Sequence, residues 1–190
     1  LVTDSLPALA LGIEPPETDV MAHPPRSAND SLFSGFVGIN IIYQGIFQTI
    51  IVLGVFLGCA FTGWGHEVGT TMAFLTLCLV QLFHSFNARS LTGSIFEKNF
   101  FKNKLLFISF IVGAALTVGL ACLPATHDIF ALQWLNGMQW LTVILCSASI
   151  VPAVECVKLF MRIRSNKNKA SKRDKRNKNL EKYIAISRNL

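Results

Sequence analysis

Charge is what this chain has least of: only 15% of its 190 residues are Asp, Glu, Lys or Arg, and 11 are acidic. With 52% hydrophobic residues and a mean hydropathy of +0.48, the composition excludes an ordinary soluble domain and indicates a membrane protein. Paired cysteines are also missing. Cys59, Cys78, Cys122, Cys146 and Cys156 lie in apolar runs without C-x-x-C spacing. That excludes a disulfide framework or a zinc site and leaves five small apolar groups. No catalytic signature is present: no G-x-x-x-x-G-K-[ST] phosphate loop, no H-E-x-x-H pair and no G-x-S-x-G elbow. His66-Glu67 runs on into Val68-Gly69-Thr70 and reads as a short turn. No catalytic or cofactor-binding residue is therefore assigned, and chemistry on ATP is beyond these residues alone. The first 30 residues hold no basic leader and no cleavage-like site, which argues against a secretory signal. A start inside an apolar stretch without Met reads as a piece of a longer protein.

What the chain does have is long uncharged runs: Ser31–His66, Val68–Ala88, Leu105–His127 and Ile129–Val154. Each reaches the roughly 20 residues that a helix needs to cross about 30 Å of hydrocarbon. Spans are expected near 32–63, 70–88, 105–123 and 141–161, preceded by the end of another helix over 1–13. The expected fold is all-α, a multi-span transmembrane helix bundle. Its parts are a partial helix (1–13), a Pro-rich loop (14–30), a four-helix membrane domain (31–163) and a basic tail (164–190).

The basic residues orient it. With these spans, Arg26, the group Arg89, Lys98, Lys102 and Lys104, and everything from Lys158 onward fall on one side, and together they are all 17 Lys and Arg of the chain. The opposite loops, 64–69 and 124–140, hold none. Under the positive-inside rule the first side is cytoplasmic. Trp64, Trp134 and Trp140 then fall near the outer boundary, where indoles collect, and the stretch from His127 to Trp140 either lies along the surface or caps the bundle. Pro15-Pro16 and Pro24-Pro25 frame a stiff, extended loop. It is either a transmitter of motion or a spacer. Glycines at 35, 38, 45, 54, 58, 113 and 119 permit close helix approach.

Polar groups inside apolar segments are the candidates for function. An ionised Asp at mid-membrane costs about 2.5–3.5 kcal/mol on insertion scales and is normally kept for ion or substrate handling. Here Asp4 follows Thr3 and precedes Pro7, whose missing N–H frees the carbonyl of Thr3 and points to a helix break. Oxygen-only clusters of this kind suit hard cations such as calcium. The alternative is a proline-kinked soluble helix with an exposed Asp. Gln81 sits near the middle of the second complete span, either bonding a neighbouring helix or presenting its carbonyl oxygen to a cation. His84 is a proton carrier or a satisfied core histidine. Gln44 and Gln48 share one helix face turned to protein, and Glu155 with Lys158 is spaced for an ion pair.

The run Thr3-Asp4 with Leu6-Pro7-Ala8-Leu9-Ala10-Leu11-Gly12, Glu14-Pro15-Pro16 and Pro24-Pro25-Arg26 resembles the sixth transmembrane helix and following loop of P-type calcium ATPases of the reticulum and bacterial type. Thr71-Met72-Ala73, Gln81 and Phe86-Asn87-Ala88-Arg89-Ser90 are similar to the eighth helix. The resemblance runs to about residue 163 and implies that Thr3 and Asp4 are the last two ligands of the N-x-x-T-D motif. It also implies a phosphorylated Asp, with ATP and magnesium, in domains upstream of Leu1, and calcium as the transported ion. Where the reticulum pumps carry a Glu ligand on the eighth helix this chain has Gln81, which implies one calcium per cycle rather than two. Implied partners are the lipid bilayer and the upstream helices and domains of the same pump. The expected location is multi-pass in a membrane, a plasma or bacterial cell membrane first and an organelle membrane as the alternative. Its basic tail lies outside the resemblance and fits anionic lipid rather than nucleic acid. A pump for another cation, or a non-catalytic membrane subunit, are the rival readings.

Overall fold

A computed structural model describes residues 2–14, 36–89, 103–164 and 167 of the chain. Nearly all of them are helical, and no strand occurs among them. Helix α1 (Val2–Gly12) is followed by α2 (Phe36–Thr62), α3 (His66–Ala88), α4 (Lys104–Cys122), the short α5 (Pro124–Phe130) and α6 (Gly137–Ala148). Helical structure resumes at Ile150, so that Gly137–Arg164 crosses as one span with a turn at Ser149. Pro152 explains the turn, because its ring clashes with the carbonyl of Ala148 four residues earlier. Among the described residues, four spans are long and apolar enough to cross a membrane: Val37–Thr62, His66–Ala88, Lys104–Cys122 and Gly137–Arg164. The architecture is the expected all-α multi-span bundle. The Pro-rich loop and the basic tail expected from the sequence lie almost wholly outside the described residues.

α3 is the central helix. It packs on α1, α2, α4 and α6, and half of its most apolar stretch is buried, against 11% for α2. Met72, Leu75, Leu79 and Leu82 of α3 form the main core with Val55, Cys59, Ala121 and Val143. A second cluster joins Ala10 of α1 to Phe86 and Leu106, and a third joins Val80 to Ile150 and Val154. In a bilayer such packing has little hydrophobic drive between helices, so fit and interhelical hydrogen bonds decide the arrangement.

Close approach occurs at fewer glycines than the sequence implies. A Cβ at Gly113 would stand 2.7 Å from Leu82 Cδ2, and one at Gly69 3.1 Å from Cys59 Cβ. Gly45, Gly54, Gly58 and Gly119 meet nothing within 4 Å. Gly45, Gly54 and Gly58 sit on α2, the least buried of the four spans, and form no packing seam among the described residues.

At the end of the bundle away from the basic residues, α5 and the segment to α6 lie over the helix ends. The Thr71 hydroxyl accepts from the Gln133 amide, and Gln133 Nε2 donates to Glu67 Oε2, both at 2.9 Å. Asn136 and Gln139 form a reciprocal capping box that starts α6. His127 stacks on Trp134 with centroids 4.1 Å apart. This stretch therefore caps the bundle, one of the two arrangements open to it from the sequence.

Candidate functional site

α1 runs through Pro7 without the expected break. A proline near the start of a helix costs only one backbone bond, here the one to the Thr3 carbonyl, and the later turns close normally. Pro7 and Ala10 are buried, Thr3 and Glu14 are half-buried, and Asp4, Ser5, Ala8 and Leu9 are exposed. One face of α1 is therefore docked, and Asp4 stands on the edge turned away from it.

Docking is by hydrogen bonds along α4. Ser109 Oγ shares its proton between the Leu105 carbonyl of its own helix at 2.8 Å and the Leu6 carbonyl of α1 at 3.1 Å. Asn103 Nδ2 donates to the Ala10 carbonyl at 3.0 Å, and its Oδ1 caps α4 by accepting from the Leu106 amide. At the end of α1, Glu14 meets Arg89, which ends α3: Nη2 and Nε reach Glu14 Oε1 at 2.7 and 3.2 Å. Asn103 Nδ2 supplies a donor to the other carboxylate oxygen, Oε2, at 2.5 Å. The Arg89 side chain is 3% exposed and that of Glu14 15%. Arg89 is thus held inside the protein rather than reaching for lipid headgroups.

These contacts fix the register of two parallel helices. Glu14 pairs with Arg89, 75 positions on, and Ala10 clusters with Phe86, the same offset to within one residue. Carried along the axis, that offset sets Asp4 level with Leu79 and Val80, the middle of α3, and within about 3 Å of the depth of Gln81. Cys78, one turn before Gln81, lies within electrostatic reach of Asp4. The fold thus brings Thr3, Asp4 and Gln81, from segments far apart in sequence, to one depth. It does not join them: among the described residues no hydrogen bond links Thr3 or Asp4 to Gln81, and no group of three His, Cys, Asp or Glu could hold a metal.

Across residues 1–160 the sequence matches the family described as cation transporting ATPase, C-terminus. The chain belongs to that family. Relatives include calcium-transporting ATPase 1 of Bacillus cereus, 38% identical over 177 residues, covering 84% of this chain and 20% of that protein. The calcium-transporting ATPase of Bacillus subtilis is 34% identical over 154 residues, 78% of this chain and 17% of its own length. Calcium-transporting ATPase type 2C member 2 of Rattus norvegicus is 27% identical over 168 residues, covering 84% and 17% respectively. The chain spans about a fifth of the length of these relatives.

Seen as the membrane end of a cation-transporting ATPase, several polar residues take definite places. Gln44 Nε2 donates to the Tyr43 hydroxyl at 3.3 Å. Gln48 lines a cavity of about 730 Å³ between α2 and α3. Both are half-buried, as a protein-facing stripe requires. His84 Nδ1 is buried and has no hydrogen-bond partner among the described residues. Lys158 and Glu155 are paired at 3.5 Å, but the stronger bond of Lys158 runs to the Asn87 carbonyl at 2.8 Å. Sequence reasoning missed the cluster of Glu14, Arg89 and Asn103. Its only trace there is a carboxylate and a guanidinium just beyond the apolar ends of two segments, a weak sign in a membrane protein, where charges usually begin at such ends.

Proposed function

We propose that this chain is the C-terminal membrane section of an ATP-driven pump that carries calcium out of the cytosol. The reading rests on one observation above others: Asp4 stands at the mid-depth of the bundle, off the docked face of α1 and level with Gln81. A carboxylate at that depth costs about 2.5–3.5 kcal/mol to insert, a cost that goes with ion handling. Thr3, with its hydroxyl and its freed carbonyl, and Asp4 supply hard oxygens of the kind calcium takes. Gln81 adds a neutral carbonyl oxygen. The remaining ligands come from upstream helices packed against the open edge of α1, and the relatives' names support calcium as the cargo. ATP, magnesium and the aspartyl-phosphate cycle belong to the upstream part of the pump. With an amide at Gln81 instead of a second carboxylate, the site holds one calcium per cycle.

Under the positive-inside rule the end carrying Arg89, Lys104, Lys158 and Arg162 faces the cytosol, in a plasma or bacterial cell membrane. A tail this rich in Lys and Arg next to a span suits anionic lipid. The decisive experiment is Asp4→Asn in the full-length pump. Calcium-dependent phosphorylation from ATP is expected to vanish while phosphorylation by inorganic phosphate without calcium persists. Normal calcium-dependent phosphoenzyme would overturn the reading.

A further inference from the structure

We infer that the Glu14–Arg89 pair, completed by Asn103, is a positioning device for the cation site: it holds α1 and α3 in the register that keeps Asp4 and Gln81 at one depth. The inference rests on the site proposed above. Glu14 stands two residues beyond α1, its amide donating to the Leu11 carbonyl at 3.1 Å. The following Pro15 disfavours helical backbone at Glu14, so the helix does not continue through it. Its backbone is therefore tied to the last turn of α1. Both of its oxygens are engaged, one by two donors of Arg89 and the other by Asn103. A guanidinium on a carboxylate is directional as well as charged, so the pair restrains the axial slide of α1 against α3 and not only its distance.

Position gives the pair its leverage. Glu14 lies ten residues from Asp4, and Arg89 eight from Gln81, so at 1.5 Å per residue the clamp acts about 12–15 Å below the site. Above Ser109, which donates to the Leu6 carbonyl, no interhelical hydrogen bond of Thr3 or Asp4 is present among the described residues. Thr3 and Asp4 can thus turn towards an ion, while the foot of α1 is fixed to the helix that carries Gln81. Asn103 also caps α4, so α1, α3 and α4 share one joint. A headgroup anchor would leave Arg89 open to solvent, and 3% exposure of its side chain excludes that role. Removing the joint loosens the relation between Asp4 and Gln81 without touching a ligand.

The test uses the full-length pump and reads two quantities: the calcium concentration for half-maximal phosphorylation from ATP, and the level of phosphorylation by inorganic phosphate without calcium. Arg89→Ala and Glu14→Gln are each expected to raise the half-maximal calcium concentration about tenfold with the calcium-free phosphorylation retained. Arg89→Lys keeps the charge, loses the paired donors and folds most readily; a rise of about threefold is expected. The exchanged double variant Glu14→Arg/Arg89→Glu is expected to recover most of the affinity that either single exchange loses. Half-maximal concentrations within twofold of the parent in all single variants would overturn the inference. So would a loss of phosphorylation by phosphate in parallel with calcium affinity, which marks a purely structural pair. Asp4→Asn in the same series separates the two readings. If it abolishes calcium dependence while the Arg89 variants behave as the parent, only the positioning role fails; if it has no effect, the site itself fails.

Discussion

Lys158 donates from its ammonium to the main-chain oxygen of Asn87, 2.8 Å away and 71 positions earlier in the chain. Its side chain is 1% exposed. That oxygen belongs to the last turn of α3, where helix carbonyls lack donors of their own and the macrodipole favours a cation. Glu155, 3.5 Å away and 16% exposed, balances the charge. Truncating Lys158 to Ala leaves a buried carbonyl without its donor, at a cost of about 1–3 kcal/mol. Lys158→Ala is therefore expected to lower the thermal unfolding midpoint of the detergent-solubilised pump by several degrees. Lys158→Met alone should be worse than Lys158→Met combined with Glu155→Gln, because the double change strands no charge. Equal midpoints for the parent and Lys158→Ala would show that the bond carries no stability.

Among the described residues, Gly113 and Leu82 make a tight glycine contact between helices. A methyl at Gly113 would meet Leu82 Cδ2 at 2.7 Å, and Leu82 is 0% exposed, with no solvent to swing into. Gly113→Ala should cost about 1–3 kcal/mol through overpacking, and Leu82→Ala in the same background should return part of it. At Gly119, where nothing lies within 4 Å, Ala is expected to be neutral or stabilising by up to about 1 kcal/mol through helix propensity. Thermal midpoints of the four variants decide it; additive effects of the Gly113 and Leu82 changes would rule out the contact.

Asn103 tests whether an N-cap or a bridge matters more. Its Oδ1 caps α4 while its Nδ2 serves Ala10 and Glu14. Asp is as good an N-cap as Asn in general, yet here it would place a second carboxylate against Glu14. Asn103→Asp is expected to destabilise the pump more than Asn103→Ser, which keeps a cap without the charge. Chemical or thermal unfolding in detergent measures the order, and the reverse order would mean that the bridge to Glu14 is unimportant.

Gln81→Glu should restore a carboxylate level with Asp4. Equilibrium binding of radioactive calcium to the full-length pump is expected to rise from one ion per phosphorylation site towards two. Gln81→Ala should keep the single ion with less than a tenfold loss of affinity, because Thr3 and Asp4 remain. Two occluded ions in the parent protein would refute the reading of Gln81.

The spans were readable from sequence because crossing a bilayer is a local property. Runs such as Leu105–His127 are apolar over their whole length, and each such run must close its own backbone hydrogen bonds as a helix. The Glu155–Lys158 pair was readable for the same reason, since three residues on a helix are neighbours by geometry. The break at Pro7 was misjudged because one lost bond near a helix start does not outweigh the turns that follow. The glycines of α2 permit close approach, but spacing does not reveal which helix face another helix covers.

Composition and order alone thus made this chain an all-α membrane bundle and marked Asp4 as a carboxylate out of place. Which residues share a depth was left to the packing of α1 on α3 and α4, because offsets of 75 positions between Glu14 and Arg89 and 93 between Ala10 and Asn103 depend on how whole helices slide and turn against each other. No local pattern of the chain encodes that register. It is set where a buried guanidinium, a carboxylate and an amide can all be satisfied at once.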